Sequence, residues 1–131
     1  MDIMITGMEH IAILAKDSKA LTDWYCDMFG FTVCYDNGKG TYFVAAADGS
    51  MLEIIKTEDE VLPTEPKAWG IRHIAMSVTD EGFDEMVQKL KAANVPVVTD
   101  VAISAKGIKT FFFRDIEGNI FHLIYRPTPL V

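Results

Sequence analysis

The sequence predicts an α+β protein: two tandem βαβββ modules in a single domain of 131 residues. Three observations predict it. Gly7-Met8-Glu9-His10-Ile11-Ala12-Ile13 returns 63 positions later as Gly70-Ile71-Arg72-His73-Ile74-Ala75-Met76. Asp48-Gly49-Ser50-Met51-Leu52-Glu53-Ile54-Ile55 is echoed by Glu117-Gly118-Asn119-Ile120-Phe121-His122-Leu123-Ile124, with His122 lying 69 positions after Glu53. Between the members of each pair, hydrophobic periodicity passes from extended to helical and back to extended.

The elements follow in order. Met8 to Leu14 is apolar apart from Glu9 and His10 and reads as a strand. Asp17 or Ser18 caps a helix on which Ala20, Leu21, Trp24, Tyr25, Met28 and Phe29 recur at helical spacing, and Gly30 stops it. On that helix Trp24, Tyr25 and Phe29 read as core. Phe31 to Tyr35 returns as a strand, Asp36 to Gly40 turns the chain, and Thr41 to Ala47 pairs with Met51 to Lys56 around Asp48-Gly49-Ser50.

The first module thus spans about 5–57, an acidic linker with Pro63 and Pro66 covers 58–69, and the second module spans about 70–127. In the second, Ile71 to Val78 is a strand. Thr79 or Asp80 caps a helix carrying Phe83, Met86, Val87, Leu90 and Ala93, and Asn94 ends it in a left-handed conformation. Val95 to Val98 is a short strand. Ile108 to Arg114 and Asn119 to Arg126 pair around Asp115-Ile116-Glu117-Gly118, and Pro127 and Pro129 lead the tail out of the sheet.

Bulk properties exclude several functions. A formal net charge of −7 and a pI near 4.8 argue against a nucleic-acid partner, which requires a basic surface. No signal peptide or membrane-spanning stretch is expected, so the cytoplasm is the expected location. Cys26 and Cys34 match neither a redox pair nor a zinc knuckle and read as reduced. Asn37-Gly38-Lys39-Gly40 reads as a turn and not as a glycine-rich phosphate cradle.

Strand alternation carries the functional reading. His10, His73 and His122 are all the histidines of the chain, and with Glu53 each is the strong polar group on one face of an otherwise apolar strand. The opposite faces would pack on the helices, leaving the polar residues on a concave sheet face. A buried imidazole or carboxylate without a partner is costly, and neutral imidazoles with a carboxylate suit a divalent transition metal. His10, Glu53, His73 and His122 are therefore the predicted ligands, for Zn, Ni, Mn, Co or Fe. Phe112 is expected to look into the cleft, with Tyr42 and Val44 as pocket candidates in the first module. Arg72, Lys106, Lys109 and Arg114 can bind a substrate anion, although solvated surface is the favoured reading for each.

These segments resemble the vicinal oxygen chelate superfamily, which includes glyoxalase I, methylmalonyl-CoA epimerase, extradiol dioxygenases, and fosfomycin and bleomycin resistance proteins. The resemblance covers roughly residues 5–127. It implies a curved, partly open mixed-sheet barrel around a metal cleft, with His10, Glu53, His73 and His122 at the ligand positions. It also implies a small-molecule substrate whose adjacent oxygens are chelated, and a homodimer whose sites are sometimes shared between subunits. The implied function is a lyase or isomerase/epimerase stabilising an enediolate, with Glu53 or His122 as the base. An iron-dependent dioxygenase using His10, His73 and Glu53, and a bleomycin-resistance-type binding protein, are the alternatives. Two departures bear on the substrate. His122 stands where glutamate is common, and Leu14 and Thr57 replace the arginine and asparagine that bind glutathione in glyoxalase I, which argues against glutathione hemithioacetal.

Overall fold

The computed structural model describes residues 4, 6–59 and 70–131, and most of the expected linker over 58–69 lies outside the described residues. The chain divides into two compact units, Met1–Val61 and Leu62–Val131. Among the described residues there are two helices and two four-stranded sheets, open and curved rather than closed into barrels.

In the first unit β1 (His10–Ala15) leads into α1 (Ser18–Phe29), followed by β2 (Thr32–Asp36), β3 (Thr41–Ala45) and β4 (Met51–Lys56). The sheet order is β1-β4-β3-β2, with β1 parallel to β4 and the remaining pairs antiparallel. The second unit repeats the plan: β5 (Ile74–Ser77), α2 (Asp80–Ala92), β6 (Val97–Ile103), β7 (Lys109–Arg114) and β8 (Ile120–Tyr125), in the order β5-β8-β7-β6. The duplication read from the heptads is thus a duplication of sheet topology.

Local chemistry sets the helix ends. The Asp17 carboxylate accepts from the Ala20 amide, and Gly30, at φ 70°, donates its amide to the Cys26 carbonyl. In α2 the Thr79 hydroxyl accepts from the Gly82 amide, Asp80 and Glu81 occupy the first turn, and Lys89 and Lys91 the last, each sign matched to the helix dipole. Asn94 takes the left-handed conformation expected of it, φ 58°.

Each sheet buries one face under its helix. Leu21, Tyr25 and Met28 of α1 are buried, as are Ile13, Val44, Leu52 and Ile54 of the first sheet. Trp24 and Phe29 are half-buried and join Tyr25 in an edge-packed aromatic cluster. In the second unit Phe83, Val87 and Leu90 of α2 are buried together with Phe111, Phe113, Phe121 and Leu123. Fully burying one such side chain stabilises the fold by about 1.5–3 kcal/mol.

Two strands differ from expectation. β5 starts at Ile74 rather than Ile71, which is exposed and has no strand partner, so His73 stands just ahead of the ladder. β6 runs from Val97 to Ile103, beyond the expected Val98. Thr99 and Asp100 interrupt its apolar pattern, yet an exposed edge strand needs only one partner, and β6 pairs with β7 through two register shifts.

Candidate metal centre

In the first unit His10 opens β1 and Glu53 sits mid-strand in the adjacent, parallel β4. The register pairs Ala12 with Glu53, so His10 is a diagonal neighbour of Glu53 on the same face. The His10 Nε2 lies 3.4 Å from the Glu53 Oε1, and the Glu9 Oε1 is 2.9 Å from the His10 Nδ1. The Phe43 ring meets the His10 ring edge-on at 5.1 Å.

The second unit repeats this placement. The register pairs Ala75 with His122, and His73 is again the diagonal neighbour. The two imidazole centroids are 4.5 Å apart. Phe112, opposite His122 across β7 and β8, stacks on it at 4.2 Å and meets His73 edge-on at 5.3 Å. The Arg72 guanidinium lies over the Phe112 ring and contacts the His73 Nδ1 at 3.0 Å.

Both imidazoles of this unit are held neutral. Burial pushes the His122 pKa down to about 4, reinforced by the charges of His73, Arg72 and Arg126. The His73 pKa is lowered by burial and then by Arg72. The His122 Nδ1 is buried with no hydrogen-bond partner among the described residues. A cavity of about 640 Å³ opens beside the pair, lined by His73, His122, Ser77, Arg126 and the tail residues Leu130 and Val131.

The pocket expectations are partly corrected. Phe112 does lie on the ligand-bearing face. Tyr42 and Val44 do not: the register pairs them with Ile54 and Leu52, on the face that packs against α1, and Val44 is fully buried there. Phe43 pairs with Glu53 instead and takes the position that Phe112 holds opposite His122. Of the anion candidates, Lys109 pairs with Asp80 at 2.7 Å and Arg114 donates to the Gly118 carbonyl at 2.8 Å, both structural uses.

The model of the Glyoxalase/Bleomycin resistance protein/Dioxygenase superfamily matches residues 7–123, a span that contains all four candidate ligands and all but the last two residues of β8. The chain belongs to this superfamily. It is 32% identical over 120 residues to the uncharacterized protein YaeR of Escherichia coli strain K12, covering 85% of this chain and 89% of that protein. The crystal structure of the fosfomycin resistance protein FosX from Listeria monocytogenes superposes with a TM-score of 0.78 at 23% identity, covering 97% of each chain. A mutant of that protein has been crystallised with Mn(II) and 1S,2S-dihydroxypropylphosphonic acid. Lactoylglutathione lyase from Agrobacterium tumefaciens superposes with a TM-score of 0.72 at 19% identity, covering 94% of this chain and 96% of that one.

Superfamily members include metalloenzymes, and the donor chemistry here fits an ion. His10 with Glu53 in one unit and His73 with His122 in the other are pairs of metal-donor side chains. Two of the imidazoles are neutral at physiological pH, and the buried His122 ring has an unsatisfied nitrogen. The donors come in pairs, one pair per unit; among the described residues no group of three or more His, Cys, Asp or Glu that could hold an ion is found. Among those residues, too, no helix is long and apolar enough to cross a membrane.

Proposed function

We propose that this chain is a divalent-metal-dependent lyase or isomerase of the glyoxalase-like kind, with His10, Glu53, His73 and His122 as its metal ligands. The observation that carries the proposal is the repeated register: His10 beside Glu53 and His73 beside His122 occupy equivalent places in the two sheets. When bound, the ion supplies Lewis-acid stabilisation of negative charge developing on adjacent oxygens of a small carbonyl substrate.

The side chains divide the remaining work. Glu53 is the base: it is the carboxylate of the set, partly accessible and not locked in a short hydrogen bond, since its approach to His10 is 3.4 Å. It removes a proton next to the carbonyl and returns it to the neighbouring carbon, or allows a leaving group to depart. His122 is a poor proton acceptor near neutral pH because burial disfavours its cation, and it serves as a ligand. Phe43 and Phe112 hold His10 and His122 in place and keep the face apolar around the reacting atoms.

The test is exchange of solvent deuterium into a panel of α-hydroxycarbonyl and 1,2-dicarbonyl compounds by the metal-loaded protein, followed by proton NMR. The proposal expects exchange that disappears in Glu53→Gln; exchange equal in the variant and the wild type would sink Glu53 as base. A second reading is favoured by the likeness to FosX and by the diol phosphonate bound to its mutant: action on fosfomycin. Metal-dependent loss of fosfomycin in the presence of the protein would select it over the first.

A further inference from the structure

The first unit contains a second concave site on the other face of its sheet. A cavity of about 420 Å³ is lined by Lys16, Lys19, Lys39 and Lys56 together with Ser18 and Tyr42. Those four lysines are every basic residue between positions 1 and 61, a stretch that also holds eleven acidic residues. Surface charges placed only for solubility would be scattered; here all the positive charge of an acidic unit faces one cavity. It lies where the carboxyl ends of the parallel strands β1 and β4 meet the start of α1 and the β2–β3 turn, the end of parallel strands at which ligands bind in α/β sheets.

Strand parity separates this cavity from the candidate metal face. Lys56 falls on the same strand face as the buried Leu52 and Ile54, and Tyr42 pairs with Ile54, whereas Glu53 belongs to the opposite face. The inference is therefore independent of the proposed metal chemistry.

The walls are built to receive an anion. Ser18 is 3% exposed and lines the cavity. Its Oγ lies 3.5 Å from where a Cβ on Gly40 would stand, a Cβ that would also approach the Lys56 Cβ to 2.9 Å; glycine at φ +97° keeps this space open. Lys19 and Lys56 rest on the exposed carboxylates of Asp23 and Glu58, at 2.8 and 3.5 Å. Such pairs are weak enough for a ligand to displace. Asp17, the acidic residue of the lining, spends its carboxylate on capping α1. The turn backbone is not the cradle. The Gly38 amide is taken by Asp36, and the Lys39 and Thr41 amides by Asn37, so the lysine side chains and Ser18 would do the binding.

We propose that this cavity binds a small phosphate-bearing molecule, with lysine ammoniums around its phosphoryl oxygens and the Ser18 hydroxyl donating to one of them. Lysine suits phosphate as a compact point charge, and the volume admits more than the bare ion. The probe is inorganic phosphate titrated into the metal-loaded full chain, followed by backbone amide NMR. Saturable shifts are expected at Ser18, Lys19, Lys39 and Lys56, weakening as salt is raised toward 1 M. The double variant Lys39→Gln/Lys56→Gln should weaken binding by about tenfold or more. Lys39→Gln alone, at an exposed turn residue, gives an intermediate loss that checks against misfolding. Absence of saturable shifts, shifts confined to residues around His10 and Glu53, or equal affinity in the double variant would overturn the proposal.

Discussion

Glu53 and His122 hold equivalent positions in different environments. Glu53 and His122 pair with Ala12 and Ala75 at the same place in the two sheets. Glu53 keeps partial access to solvent, while His122 is 6% exposed. Glu53→Gln is expected to lower proton-exchange activity by ~10²–10⁴-fold with little change in thermal stability. The consequence for His122 appears in the pH dependence of folding of the metal-free protein. Its folded pKa is depressed to about 4, whereas the unfolded ring protonates near pH 6.5. Stability is therefore complete above about pH 6.5 and is lost as the pH falls to about 4, by on the order of 2–3 kcal/mol. Urea melts between these limits check it: His122→Gln should flatten the profile relative to the wild type, and identical slopes would show that His122 is not the group responsible. Phe43 is the site residue that the sequence reading missed. Thr41 to Ala45 is apolar on both faces, so alternation alone does not assign a side. The repeat does: the 69-residue offset that maps His122 onto Glu53 also maps Phe112 onto Phe43.

At the scale of elements, helices and hairpins were legible because their end signals are local. Asp17, Gly30, Thr79 and Asn94 act within a few residues of themselves. Strand extents were less legible because pairing is non-local: β5 ends where β8 gives it no partner, and β6 continues past polar residues because β7 does. The β7–β8 turn shows how burial scales a local motif. Asp115 is 2% exposed and accepts from the Glu117 and Asn119 amides and the Asn119 side chain. Asp115→Ala strips these buried donors of their acceptor and should cost about 2–3 kcal/mol in a denaturant melt. The matching turn in the first unit has Asp48 accepting from Ser50 in the open, and Asp48→Ala should cost clearly less. Equal losses would mean that the turn geometry, and not burial, sets the energy.

At the scale of the molecule, the chain is one plan used twice, with the donor pairs as its repeated product. Gene-scale repetition explains why so much of the site could be read from the sequence: each motif had an internal copy against which to check it. The proposed role of His10, Glu53, His73 and His122 as metal ligands is open to direct measurement. The most direct measurement is the metal content per chain of the purified, metal-loaded protein and of His10→Ala and His122→Ala, by elemental analysis after desalting. About one ion per chain is expected in the wild type, with a marked loss in each variant. Full metal content in either variant, or two ions per chain in the wild type, would contradict that expectation.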